Sequence, residues 1–462
     1  MSHDPLRKRA YVETYGCQMN VSDGELMEGV LAAGGYDLVA APEDADVVLV
    51  NTCAIREHAE QRVLGRVAQL NGLRRERPDL VIGVTGCMAQ RMGPSLLEQA
   101  PYVDLVMGPD GYRSLPEALE RVAGGAPRIP RKKIARDRRQ LAVLDLHPAE
   151  NYEGLEQLRA EGPTAWVPIQ RGCDHRCTFC IVPYVRGPEK NRSAREILDE
   201  VRTLAERGTT EVTLLGQTVN SYTFEEIGFP RLLQEVARVP GIRRVRFTSP
   251  HPNDVTPELV EVMTSEGAVC EHLHLPVQSG SDRTLRRMLR RYTVADFLEK
   301  VALVREAVPD IAISTDVIVA FPGESEEEFE ETLDLMRAVR FDEAYTYKYS
   351  LREGTPAARM RADEFLDPVE AQRRLETLID VSREIQAEIN REEVGRSEEV
   401  LIEKPARSEG QLLGRTRRNK VVVFDCDSAR IGEYTRVTLE QTTGVTFAGV
   451  EVDGPVAVGT PS

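Results

Sequence analysis

No stretch of the 462-residue chain approaches the ~18 consecutive apolar residues that a membrane-spanning helix needs. The basic residues in MSHDPLRKRAYVETYG are followed by no apolar stretch, so no signal peptide is expected. The expected location is the cytoplasm, with no membrane partner. Positive charge is also short: 59 Lys and Arg face 75 Asp and Glu, a net charge of −16. That excludes a uniformly basic nucleic-acid binder. It leaves room for a local basic patch, because phosphate affinity depends on local charge. Cysteine is sparse, eight in 462 residues, against more than about 8–10% in a small disulfide scaffold. In a reducing cytoplasm, clustered cysteines read instead as metal-binding or catalytic. No low-complexity tract or long repeat stands out.

What is present is an α/β texture in three parts. At about 150 residues per domain the length suggests three domains, placed here at 8–145, 146–393 and 394–460. In the first, short apolar runs (Tyr11–Tyr15, Val47–Val50, Leu80–Thr85, Val103–Met107) alternate with helical patterns such as Ser22–Ala33 and Arg56–Arg75. That alternation predicts an open parallel sheet covered by helices. Gly124–Gln140, rich in Gly, Pro, Arg and Lys, reads as a linker or arm that extends to about Glu161. A second series begins near Trp166. Its strands are Trp166–Gln170, Glu211–Leu215, Arg244–Thr248, His272–Val277, Ala312–Phe321 and Ala344–Tyr349. Six βα units predict a partial (β/α)6 barrel rather than an eight-fold one, closed by the helical run Leu366–Glu393. After Val394, five short β runs predict a small β-barrel.

The strongest local signal is Cys173-Asp-His-Arg-Cys177-Thr-Phe-Cys180, just past a predicted strand. Three thiolates at this spacing fold around one metal centre. A [4Fe–4S] cluster usually takes four cysteines, so three leave one iron open to a non-protein ligand. Zinc is the competing reading, and it would need a fourth ligand such as His175. Cys17, Cys53 and Cys87 share a different context: each follows the carboxyl end of a predicted strand, 36 and 34 residues apart. Strand ends of an open parallel sheet lie along one ligand-binding edge, so three thiolates can converge there as a second three-cysteine cluster. The competing reading is ordinary half-buried cysteine, which is the better one for Cys270 and Cys426.

CxxxCxxC with an aromatic, Phe179, before the last cysteine resembles the radical S-adenosylmethionine (SAM) superfamily. YGCQMNVSDGE, NTCAIREHAE, TGCMAQR, RGCDHRCTFCIVPYVRG, LLGQTVNSY, HLHLPVQSGSD and FPGESEEEF together resemble its methylthiotransferases, from about Arg9 to Val450. Gln18, Met19 and Asn20 are similar to the branch that makes 2-methylthio-N6-isopentenyladenosine in tRNA. Other branches act on a ribosomal-protein aspartate or on threonylcarbamoyladenosine in tRNA. One departure is Asn191, where the family tends to carry Ser; Asn is also a small hydrogen-bonding residue.

The resemblance implies two [4Fe–4S] clusters, at Cys17/Cys53/Cys87 and at Cys173/Cys177/Cys180. SAM bound at the second would be cleaved to a radical that abstracts hydrogen. The first would present sulfur, and a second SAM would supply the methyl group. The product would be a methylthio group on adenine C2 at tRNA position 37, with the base splayed out between facing clusters. Phe179, Gly216, Gln217, Gln278 and Ser279 are expected near SAM. A basic turn, Arg415, Arg417, Arg418 and Lys420, is expected to contact RNA phosphates, with a solvated charge run as the plainer reading. Arg131, Lys132, Lys133, Arg136, Arg138 and Arg139 form a second basic stretch. His251 and His274 read as structural, and Glu324–Glu331 as a helix start. Expected partners are an isopentenylated anticodon loop and an external one-electron donor, flavodoxin-like or similar, with the enzyme acting as a monomer.

Overall fold

A computed structural model describes residues 7–53, 57–124, 140–159 and 161–453. The second basic stretch, 131–139, lies outside the described residues. The chain forms two compact units: 1–160 with 170–176 and 180–192, and 161–169 with 177–179 and 193–462.

The first unit is built on a six-stranded parallel sheet. Its strands are β1 (Arg9–Thr14), β2 (Asp37–Leu38), β3 (Val47–Thr52), β4 (Val81–Gly86), β5 (Leu105–Met107) and β6 (Leu141–Val143), in the order β2-β1-β3-β4-β5-β6. β3 and β4 are buried almost throughout, as strands covered on both faces must be. Two apolar cores flank the sheet. One contains Leu26, Leu49 and Leu105, and the other Val48, Ile82 and Val106. The expected linker is corrected here. Leu141–Val143 pairs in register with β5, and Tyr152 is buried in the first core. The run Leu141-Ala-Val143 is too short to show a period; backbone hydrogen bonds to a waiting sheet edge make it a strand.

The second unit holds the partial barrel. Parallel strands β7 (Thr164–Pro168), β8 (Glu211–Leu215) and β9 (Arg244–Phe247) pair with β8 central. β10 (His272–His274), β11 (Ala312–Val319) and β12 (Glu343–Lys348) pair with β11 central. A parallel bridge between Val245 and Val269 links the two sets. Intervening helices carry local start signals. Ser193 accepts from the Glu196 amide, and Ser325 and Glu328 form a capping box. Each such cap contributes about 1 kcal/mol. Helix Ala194–Glu206 buries Ala194, Ile197, Leu198, Val201 and Leu204, a three-to-four-residue spacing that presents one apolar face.

The C-terminal part is a closed five-stranded barrel within the second unit. β13 (Ser397–Pro405), β14 (Gln411–Thr416), β15 (Val421–Asp425), β16 (Tyr434–Thr442) and β17 (Thr446–Asp453) run in the order β13-β14-β15-β17-β16. Val400, Leu412, Val422, Phe424, Val437 and Phe447 fill it. Among the described residues no helix is long and apolar enough to cross a membrane.

Candidate functional site

In the first unit, the three isolated cysteines follow β1, β3 and β4 at the carboxyl edge of the sheet. Gly16 turns with φ +136°, and a Cβ there would lie 2.5 Å from the Cβ of Cys53. Glycine therefore allows the Cys17 and Cys53 loops to approach. Asn20 stitches them together. Its Oδ1 accepts from Cys17 Sγ at 3.2 Å, and its Nδ2 donates to the Thr52 carbonyl at 3.2 Å. Asn51 Nδ2 returns a 2.7 Å bond to the Asn20 carbonyl.

A hydrogen bond with Cys53, helped by the Arg186 cation against the cost of burial, pulls the Cys17 thiol down to about 6. Burial pushes the Cys87 thiol up, opposed by Arg186. Cys87 packs on Ile181 and Val185. Cys17, Cys53 and Cys87 thus share one buried patch, with Arg186 beside it. Asp23, fully buried, binds both Arg186, at 2.7 Å, and Arg171. These guanidinium groups overcome the upward push of burial and hold the Asp23 carboxyl below its usual range. Asp23 and Arg186 fall inside motifs that the sequence displays, but nothing in the spacing shows that they meet across 163 residues.

Cys173 and Cys177 are buried and Cys180 is half-buried. Gly172 has φ +76°, and a Cβ there would sit 2.0 Å from the Pro188 carbonyl. The loop can thus start only from glycine. The Cys173 amide donates to the Gly187 carbonyl at 3.2 Å.

In the second unit, Arg290 Nη1 lies 3.5 Å from Cys177 Sγ. Its other nitrogens donate to the Tyr292 hydroxyl at 3.0 Å and the Pro276 carbonyl at 3.2 Å. No motif marks Arg290 in the sequence. Phe179 packs beside Met288, Phe321 and Ala357, and Thr178 binds the Met288 carbonyl at 3.0 Å.

Gly216 and Gln217 follow β8, and Gln217 Oε1 is sheltered with no hydrogen-bond partner among the described residues. Gln278 follows β10 with φ 71°, and Ser249 and Ala320, past β9 and β11, have φ 57° each. Three non-glycine residues in left-handed geometry at successive strand ends mark a rim where strain of about 1 kcal/mol or more each is tolerated, a common property of ligand sites. Ser279 instead faces inward. Its hydroxyl accepts from the Ser281 amide at 3.2 Å and meets Thr332 Oγ1 at 3.4 Å.

The four cations of the basic turn lie at the seam between the two barrels of this unit. Arg417 binds Glu271 at 2.8 Å and the Val269 carbonyl at 2.7 Å. Arg418 binds Glu393 at 2.9 Å and Glu398 at 2.6 Å. Lys420 binds Asp342 at 2.7 Å and Asn390 at 2.9 Å. Arg415 binds Glu403 at 3.1 Å. From β9, Arg244 and Arg246 donate to the Arg415 and Arg417 carbonyls, both at 2.8 Å. All four side chains of the turn thus have acidic partners within the protein, and the turn meets β9 of the larger barrel. His274 is held by Ser314 at 3.0 Å. Glu324 is paired with Arg374 at 2.8 Å.

Comparison with known proteins follows the same division. Residues 167–336 match the radical SAM superfamily, 9–108 an uncharacterised family designated UPF0004, and 391–447 the TRAM domain. The structure resembles the radical SAM methyltransferase TsrM of Kitasatospora setae, with TM-score 0.58 at 15% identity over 78% of each chain. It also resembles the cobalamin-dependent radical SAM enzyme OxsB, with TM-score 0.52 at 13% identity over 81% of this chain and 56% of that one. At such identity the likeness is one of fold. Fold and cysteine loop together define a radical SAM protein, a class that works with SAM and a [4Fe–4S] cluster.

Full-length relatives narrow the class. The tRNA-2-methylthio-N(6)-dimethylallyladenosine synthase of Chloroherpeton thalassium is 43% identical over 96% of both chains. That of Porphyromonas gingivalis is 44% identical over 97% of this chain and 96% of its own. This chain belongs to that family of radical SAM tRNA methylthiotransferases.

Proposed function

We propose that the chain adds a methylthio group to C2 of N6-isopentenyladenosine at tRNA position 37, next to the anticodon, using two [4Fe–4S] clusters. The observation that carries the two-cluster reading is the buried patch formed by Cys17, Cys53 and Cys87, with Cys17 and Cys53 in hydrogen-bond contact. The donor set fits such a group: three thiols, one already acidic, and a neighbouring cation. Cys173, Cys177 and Cys180 would hold the SAM-binding cluster, and Cys17, Cys53 and Cys87 the second. Together these groups supply hydrogen abstraction from an inert C–H bond and the sulfur that replaces that hydrogen, while a second SAM supplies the methyl.

The chain's own residues bind and orient. Arg290 holds the Cys177 sulfur in place through its Nη1 at 3.5 Å. Phe179, Gly216, Gln217 and Gln278 line the SAM side of the barrel rim, and Ser279 positions the loop behind it. Arg415, whose side chain keeps the largest exposed share of the basic turn (31%), is its one proposed phosphate contact. Arg417, Arg418 and Lys420 support it from the seam. An external one-electron donor, flavodoxin-like, serves a monomeric enzyme.

Anaerobic reconstitution followed by assay on isopentenylated anticodon-loop RNA tests the reading. A methylthio product on that RNA is expected. Activity only on threonylcarbamoyladenosine RNA or on a ribosomal-protein aspartate would overturn it.

A further inference from the structure

The buried charges of the first unit do not balance. Asp23 is fully enclosed and faces two guanidinium groups, Arg171 and Arg186, whose side chains are each 5% exposed. Lys190, equally buried, pairs with Asp110 at 2.7 Å and shares the same electrostatic surroundings. Three cations thus meet two carboxylates. The next carboxylate, Glu150, acts on Lys190 as well but is paired with a fourth cation, Arg113, so counting both leaves the surplus at one. One positive charge is left over in the interior, where an uncompensated ion is strongly disfavoured.

The surplus has a direction. Asp23 takes Nη2 of Arg186, while buried Nη1 finds no oxygen or nitrogen acceptor among the described residues, and the side chain lies within hydrogen-bond reach of the Cys87 sulfur. The same guanidinium lies close enough to Cys87 and Cys17 to favour their thiolates. A second orphaned donor, the buried Tyr112 hydroxyl, lies within electrostatic reach of Arg186 and Cys87. A purely structural arginine would spend its donors on the protein. A [4Fe–4S] core in its 2+ state held by three thiolates carries one net negative charge, which balances the surplus.

We infer that Arg186, fixed by Asp23, is a positioning residue that donates through Nη1 to the sulfur of the group held at Cys17, Cys53 and Cys87, and that its charge raises that group's reduction potential. The inference rests on the two-cluster reading above. Positive charge and hydrogen bonds at cluster sulfur stabilise the reduced, more anionic state, so their removal lowers the potential.

The test uses the full chain with Cys173, Cys177 and Cys180 all changed to alanine, reconstituted anaerobically and titrated by redox EPR. This parent is expected to bind about four irons. R186Q in the same background is expected to keep the iron and to shift the midpoint to more negative potential. R186K, which keeps the cation, is expected to stay nearer the parent midpoint while its EPR line shape changes, because the forked donor is gone. A parent that takes up no cluster would sink the two-cluster reading itself. A loaded R186Q with the parent midpoint and EPR line shape would overturn the role of Arg186 alone. If R186Q does not fold, an R186K variant identical to the parent in both readouts overturns it equally.

Discussion

The first unit sets two buried guanidinium groups on one carboxylate, Asp23, while each cation of the basic turn at the second unit's seam meets a carboxylate of its own. At the seam, each of Arg415, Arg417, Arg418 and Lys420 meets a carboxylate, and Arg244 and Arg246 cap the carbonyls of the turn. In the first unit, Arg171 and Arg186 share Asp23, and Lys190 pairs with Asp110. Paired buried ions are architecture; they fix where one element sits on another. A cation that shares its carboxylate with a second one, beside three thiols, has charge to spare for an anion. The residues that look most like a binding surface in the sequence are therefore the ones the fold uses up.

The sharpest way to break the comparison is to remove thiols from one region at a time. Changing Cys17, Cys53 and Cys87 to alanine is expected to abolish methylthiolation while 5′-deoxyadenosine still forms. C177A is expected to abolish both. Chromatography of the SAM products alongside mass spectrometry of the RNA reads the split.

Breaking a seam pair comes next. E393Q removes one of the two carboxylates on Arg418 and leaves Glu398 at 2.6 Å. The expected loss is about 1–3 kcal/mol of stability in urea unfolding.

The thiols themselves titrate differently in the two regions. In metal-free protein, Cys17 is pulled down to about 6 by Cys53 and Arg186. Cys270, in the second unit, is pushed up by burial despite Arg246 and Arg417. Because thiolate is the nucleophile, iodoacetamide labelling of Cys17 is expected to rise through about pH 6 and level off by pH 7. Cys270 should stay slow across that range. Peptide mass spectrometry after timed labelling would show equal profiles if the acidic patch did not exist.

The smallest effect is expected at Arg415. R415Q should change stability by less than about 1 kcal/mol. It should lower the salt dependence of RNA binding by about one phosphate contact. An unchanged salt slope would remove RNA contact from this turn altogether.

Most of the fold is legible in the sequence, because period and punctuation agree. Glu211–Leu215 takes the bounds its pattern predicts. The six cysteines of interest are legible too: Cys17, Cys53 and Cys87 follow strand ends, and Cys173, Cys177 and Cys180 share one CxxxCxxC run. Leu141–Val143 was not, being a strand only because an edge is there to receive it. Asp23, Arg186 and Arg290 were illegible as partners, because their meaning lies in contacts spanning 113 to 163 residues. The pairing of the basic turn was illegible for the same reason: its partners Glu271, Asp342 and Glu393 are distant in sequence and close in space.

The central claim is that this chain carries two separate three-cysteine clusters. Iron and acid-labile sulfide measured after anaerobic reconstitution test it most directly. About eight irons per chain are predicted, falling to about four when either Cys17, Cys53 and Cys87 or Cys173, Cys177 and Cys180 are replaced. About four irons in the unaltered protein, unchanged by replacing the first three cysteines, would contradict it.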